Sequence, residues 1–366
     1  MMNKSDANQR LWHHSNAPAC MGCTLCPSKK VCGGLQVDSA IYDCTDLCKC
    51  KDPLFCRLVC PRNPKNFVAR TREIGDFPLD DIPLAPVTKH RRLPSVIPII
   101  YSRSKRVGRL HAPAAAVRFQ DLFSARTGSS RFSNRAAICR RFGLASDSRI
   151  VVTGTGFEQP LEHYWSRARA AEFARELALL GPDLVTSPNF SLFSDVTRFD
   201  NMYNMKRIAI CWYELASAQV PTALHVNART DQDWTRWIKF LRFHEEIRAV
   251  AFEFRTGPAS PRRGPWHAAM LARLATSVGR PLSLFVRGGR RYLAELQHAF
   301  GSLICLSPTP LMKTLKRRKL QWKPGAKETW VRHLTIEGTP LDDLLQHNVN
   351  AYTQMLTHFR RTESLN

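Results

Sequence analysis

The chain has 366 residues, 44% of them hydrophobic and 23% charged, the composition of an ordinary globular protein and not of a fibrous or disordered one. No stretch approaches the ~20 consecutive apolar residues of a membrane-spanning helix. Lysine and arginine number 54 against 30 aspartate and glutamate, a formal charge of +24. A surplus of that size points to a polyanionic partner, nucleic acid foremost.

The polar start Met1–Arg10 lacks the apolar core of a secretory signal, so the expected compartment is the cytoplasm. Nine of the twelve cysteines fall in the first sixty residues: Cys20, Cys23, Cys26, Cys32, Cys44, Cys48, Cys50, Cys56 and Cys60. In a reducing compartment clustered thiols hold metal more often than they form disulfides. Cys20-x2-Cys23-x2-Cys26-Pro27 repeats the close triplet of an iron–sulfur loop, and Cys56-x3-Cys60-Pro61 supplies a distant cysteine–proline end. Four thiolates hold Zn²⁺ in a tetrahedron equally well. Cys44-x3-Cys48-x-Cys50 misses the radical S-adenosylmethionine spacing by one residue. The expectation is a module over residues 1–65 folded around an iron–sulfur cluster or zinc, with these nine cysteines as candidate ligands.

Prolines crowd residues 66–95, which read as an extended linker or wrap. A rhythm of short apolar runs then begins. Val96–Tyr101, Arg149–Thr153, Asp183–Thr186, Thr222–Val226, Ala249–Phe254, Leu282–Val286 and Ser302–Leu306 read as strands. Helical patterns follow most of them, over Tyr164–Leu180, Arg198–Gln219, Asp231–Glu246, Pro265–Val278, Arg290–Phe300 and Pro310–Leu320. Seven repeats, with an eighth strand near Trp330–Leu334, predict an α/β protein whose residues 96–366 form a (β/α)8 TIM-like barrel; a doubly wound open sheet is the alternative.

Barrel chemistry sits at the C-terminal ends of the strands. Those ends carry Glu253 and Arg255, His225 and Asn227, and the run Arg287-Gly288-Gly289-Arg290-Arg291, whose glycines suit backbone approach to a phosphate. Asn189 begins a polar-aromatic loop containing Asp195, followed by a helix with Asn201, Asn204 and Arg207, groups able to grip a base edge or a phosphate. From Val87 to Ile150 fourteen cations face two acids. Arg103 and Arg106 lie in this run and are candidate phosphate contacts, and Ser124–Ser133 reads as a loop that orders on a polyanion. A second basic cluster spans Lys313–Lys323 with Trp322 inside it, a pairing suited to single-stranded or flipped bases.

The segment Pro188-Asn189-Phe190-Ser191-Leu192, with Asp195, Asn201, Asn204, Arg207, Val220-Pro221 and His225–Asn227, resembles a family of uncharacterised phage and mobile-element barrel proteins. At the level of fold the chain is also similar to the guanine transglycosylases of tRNA and DNA, nucleic-acid-binding barrels with a thiolate metal site. It lacks their Asp-Ser-Gly-Gly-Phe segment, and its cysteines are N-terminal. The resemblance implies a base-modifying, base-exchange transferase acting on DNA or RNA. One carboxylate would attack C1′ and another would handle protons, roles assigned to Asp195 and Glu253 in either order. The alternative is a non-catalytic, metal-stabilised nucleic-acid-binding subunit with protein partners in a phage, plasmid or defence assembly.

Overall fold

The computed structural model describes residues 73–362 apart from 76, 89–90, 194–197, 256–257, 259–260, 262 and 337. The nine N-terminal cysteines, with any metal they hold, and Asp195 lie outside the described residues. The chain divides into two compact units: one takes in Ala85–Pro188, Glu214–His225 and Glu246–Asn366, the other residues up to Leu84 with Asn189–Tyr213 and Val226–Glu245.

The larger unit holds eight parallel strands: β1 (Val96–Pro98), β2 (Ala114–Arg118), β3 (Arg149–Thr153), β4 (Leu184–Thr186), β5 (Thr222–His225), β6 (Ala249–Phe254), β7 (Ser283–Gly288) and β8 (Ser302–Ser307). From β2 to β8 each strand pairs with its sequence neighbours, and β1 pairs with β8 through Val96–Cys305 to Pro98–Ser307. The sheet nearly closes where Ile99 bridges Ala116 and the Ile100 amide donates to the Ala116 carbonyl at 2.7 Å. This is the sequential parallel order of a TIM-like barrel.

The barrel core draws on all eight strands: Ile97 and Ile99, Ala114 and Ala116, Val151, Leu184, Ala223, Ala249 and Ala251, Phe285, Ile304 and Leu306. These alternate along each strand, as the period of two requires of side chains facing one side. The strands' other side chains, such as Ile150, Val152, Val250 and Val286, are buried as well, which explains the near-continuous apolar runs.

Helices α1 (Arg135–Phe142), α2 (Glu158–His163), α3 (Phe173–Leu180), α6 (Arg263–Val278), α7 (Leu293–Ala299), α8 (Thr309–Leu315) and α9 (Asp342–Thr362) belong to this unit. Asn134 caps α1 by accepting from the Ala137 amide at 2.9 Å, and Gly143 ends it in the left-handed conformation.

Three expectations are corrected here. The eighth barrel strand is Ala114–Arg118, not the segment near Trp330. Residues Thr329–Arg332 form β10, paired antiparallel with β9 (Arg318–Gln321) in a ribbon separate from the barrel sheet. The expected helix Pro310–Leu320 therefore stops at Leu315. The expected helix Tyr164–Leu180 is also broken: α2 runs into a π-helical turn over Tyr164–Ala168, and α3 starts after Glu172 at φ 53°. The break lets Tyr164 and Phe173 meet Phe119 edge-on, with ring centroids 4.7 and 5.6 Å away. Ser124–Ser133 is a hydrogen-bonded turn, with the Ser124 amide donating to the Ser129 carbonyl at 2.9 Å and a bridge from Phe123 to Ser130.

The smaller unit contains α5 (Asp231–Phe243) and most of α4 (Arg198–Ser217). A reciprocal capping box between Thr230 and Asp233 starts α5. Trp212 meets Phe240 and His244 edge-on at 6.1 and 5.6 Å, and Trp234 and Trp237 are fully buried. Residues 77–84 form a strap without helix or strand. Lys206, 1% exposed, donates to the Pro78 carbonyl and ion-pairs with Asp81, while the Arg236 guanidinium donates to the Phe77 carbonyl at 2.6 Å.

Candidate functional site

Alternation carries the inward register of each strand one step beyond the apolar core. The next inward positions toward the C-terminal ends are Tyr101, Arg118, Thr153, Thr186, His225, Glu253 and Arg287. The barrel thus changes from an alanine-rich interior to a polar layer at its mouth. Of the sequence-predicted residues, this layer brings together Glu253, Arg255, Arg287 and His225.

Glu253 and Arg287 are register partners on β6 and β7, and their side chains meet at 3.1 Å. Arg287 also donates to Thr155 Oγ1 at 2.9 Å, and Thr155 contacts Thr153 at 3.0 Å. Burial lowers the Arg287 pKa. Glu253 opposes that effect, and the like charges of Arg255 and Arg118 reinforce it. Arg118 forks onto Asp121 at 2.7 and 2.8 Å and lies 5.0 Å from the centre of the Tyr101 ring.

His225 is buried. Its Nδ1 lies 2.5 Å from the Ser187 carbonyl, and its amide donates to Ser187 Oγ at 3.0 Å. A carbonyl only accepts, so Nδ1 carries the proton and Nε2 of the neutral ring is an acceptor. Burial takes the His225 pKa down to about 4; the Ser187 contact opposes this and the Arg287 charge adds to it. The ring is therefore neutral at pH 7.

Taken together, the mouth is a cationic ring with one inward carboxylate and one neutral imidazole. It can bind an anion and offers an acid–base group beside it.

Compared with known proteins, the chain matches no protein-family model and no curated protein.

Gly288 ends β7 and Gly289 begins the turn that follows, with φ of 80° and 65°. A Cβ at Gly288 would lie 2.6 Å from the Phe254 carbonyl oxygen, and one at Gly289 2.4 Å from the Phe254 ring, so both the conformation and the close approach need glycine. A cavity of ≈ 440 Å³ adjoins this turn, lined by Phe254, Gly289, Arg290, Tyr292, Phe359 and Arg360. A second cavity, of ≈ 670 Å³, opens among the strand starts and Arg91, Arg92 and Arg360. Neither is lined by Glu253.

The remaining predicted residues lie elsewhere. Asn201 holds the Phe193 backbone from both sides, accepting at 2.9 Å and donating at 2.7 Å. Asn204 donates to the Ser191 carbonyl at 2.6 Å and accepts from Arg207 at 2.6 Å. Arg207 stacks 3.9 Å from the Phe190 ring centre and 4.7 Å from that of Tyr203. Asn227 donates to Asn189 Oδ1 at 3.1 Å. These five residues form one cluster in the smaller unit, and its hydrogen bonds fix the loop 189–193.

Arg103 and Arg106 cap the end of α1, donating to the carbonyls of Arg140 (3.2 Å) and Phe142 (2.5 Å), a favourable place for cations. Sequence reasoning counted Arg118 only as one cation of a basic run, because its strand went unrecognised. Among the described residues no group of three or more His, Cys, Asp or Glu is placed to hold a metal ion, and no helix is long and apolar enough to cross a membrane.

Proposed function

We propose that the protein binds nucleic acid through its cationic surfaces and modifies a base presented at the barrel mouth. The observation that carries this reading is the Glu253–Arg287 pair at the inward end of β6 and β7, flanked by Arg118 and Arg255 and by neutral His225. In this reading Arg118, Arg255 and Arg287 receive the sugar-phosphate backbone, because guanidinium forks match phosphate oxygens. Glu253 exchanges a proton with the base, and His225 Nε2 accepts a hydrogen bond from it. A base inside a duplex cannot reach groups at the inward ends of the strands, so the substrate is an extruded or single-stranded nucleotide. Base exchange further requires a carboxylate that attacks C1′ as the bond from C1′ to the departing base breaks, and the candidates for the two carboxylate roles are Asp195 and Glu253 in either order. An iron–sulfur cluster or zinc held by Cys20–Cys60 is proposed as the element that folds the N-terminal module.

The test is a nucleoside mass assay on DNA and RNA incubated with the protein and a low-molecular-weight cell extract that supplies the incoming base, alongside Glu253→Gln. Expected is a modified nucleoside whose yield falls by at least about 100-fold in the variant, the scale of a lost acid–base group. Equal yields from both proteins would remove Glu253 from the chemistry.

One observation favours a non-catalytic binder instead. Glu253 is already engaged by Arg287, and Arg287 by Thr155, the arrangement of a structural ion pair. No modified nucleoside together with salt-sensitive binding would select that reading.

A further inference from the structure

The β9–β10 ribbon and its approach form a strongly one-sided stretch of the described chain. Residues 309–336 carry eight lysines and arginines and a single acid, Glu328. That acid does not neutralise the ribbon, because Glu328 pairs with Arg290 from outside it. Among the described residues Lys316, Arg317, Arg318, Lys319, Lys323, Lys327 and Arg332 form no ion pair. Lys316, Arg318, Lys323, Lys327 and Arg332 are exposed.

The register sharpens the point. Arg318 and Arg332 are direct cross-strand partners, and like charges directly opposite one another destabilise a ribbon. The strands nevertheless hold together because the ribbon is fastened from below. Asn348, fully buried on α9, accepts from the Leu320 amide at 2.9 Å and donates to the Arg318 carbonyl at 2.8 Å and to Thr314 Oγ1 at 2.9 Å. His347 contacts the Leu320 carbonyl at 2.9 Å, and the His333 amide donates to the Arg317 carbonyl at 2.8 Å. Lys313 lies 5.3 Å from the Trp330 ring centre. Five exposed cations thus lie on or beside a fastened ribbon with no internal counter-charge.

We infer that this ribbon is a second nucleic-acid contact, whose cations lie along the phosphates of a DNA or RNA strand. Strands rise about 3.3 Å per residue, so β9 and the turn to Lys323 reach across several phosphates of a duplex carrying one charge per about 1.7 Å of axis. A two-stranded ribbon also fits the major groove. The inference shares its class of partner with the proposed function but not its site: it concerns how the strand is held, independently of any chemistry at Glu253.

The experiment measures binding of labelled duplex and single-stranded DNA and RNA of about 20 nucleotides across about 50 to 200 mM salt. The variant replaces the five exposed cations Lys316, Arg318, Lys323, Lys327 and Arg332 by Gln. A second variant, Arg318→Lys with Arg332→Lys, keeps the charge and controls for the fold. Expected for the five-Gln variant is at least about tenfold weaker binding and a log K against log salt slope shallower by about 0.9 per lost contact on duplex or about 0.7 on single strands, which tells the two strand forms apart. The lysine variant should bind as the native protein does. Native affinity and slope in the five-Gln variant would overturn the ribbon inference and leave the mouth reading standing. A native protein that binds neither DNA nor RNA at low salt would overturn both, and ribbon-dependent binding to anionic lipid vesicles in place of nucleic acid would overturn the ribbon's assignment to nucleic acid.

Discussion

The barrel mouth and the β9–β10 ribbon use the same side-chain type in opposite ways. At the mouth, each arginine with a resolved partner is set against an acid: Arg287 against Glu253 and Arg118 against Asp121. On the ribbon the cations stand without ion pairs. Paired, half-buried arginines are locked in one geometry and resist screening, so they suit one anion in one position. Exposed lysines and arginines give attraction without fixed geometry, and salt removes it. A third group, Arg103 and Arg106, serves neither purpose, because it closes the end of α1. A count of charges along the chain does not separate these three roles; their partners do.

The largest effect expected from breaking this contrast is Asn348→Ala. The side chain makes three hydrogen bonds in a fully buried position, two of them to the β9 backbone. Removing it strands those groups, at about 1–3 kcal/mol for the first orphaned group. Urea unfolding should show a loss of about 3 kcal/mol, inside the range of a broken buried network. Hydrogen exchange should quicken in 318–332 while the amides of β6 and β7 keep their protection. Equal loss of protection in both places would mean that ribbon and mouth are not separable.

The barrel was legible because its strands are short apolar runs separated by helical patterns, and seven of the eight were recognisable that way. The eighth was not, since Ala114-Ala115-Ala116 has little strand preference and is held by burial against β3 and the Ile99 bridge. Trp330 and Val331 resemble a barrel strand in composition but pair with the basic β9. The strand-end rule alone marked Glu253, His225 and Arg287. Their grouping rests on cross-strand register, which no local pattern encodes. Asn201, Asn204 and Arg207 share a cluster with the loop 189–193, which supplies the Phe193 and Ser191 carbonyls and the Phe190 ring that they meet.

A change of pH tests the mouth through His225. The His225 pKa is about 4 in the folded protein against about 6.5 in the unfolded chain. Between those values the unfolded state binds the extra proton, so stability falls as the pH drops from about 6.5 toward about 4, by up to about 3 kcal/mol, and this group adds no further loss below that. His225→Gln should flatten that part of the stability–pH curve. Arg287→Gln should move the native-state His225 titration upward, since it removes a repelling charge. An unchanged curve in His225→Gln would place the acid sensitivity in other groups.

The smallest expected effect bears most directly on what Glu253 is for. Its pair with Arg287 is about one-fifth exposed on each side, 18% and 22%. That setting lies between the screened surface pair, at about 0–1 kcal/mol, and the buried one. A double-mutant cycle with Glu253→Gln and Arg287→Met should give a coupling near 1 kcal/mol in unfolding experiments. If Glu253 handles a proton on a bound base, Glu253→Gln loses activity far beyond that coupling, because the amide keeps the shape but cannot ionise. If the pair is only architectural, stability and DNA affinity carry the whole effect, and the Arg287→Met single variant reproduces it. The ratio of the two losses, measured on the same four proteins, decides whether the polar layer at the barrel mouth exists for chemistry or for holding the strand ends together.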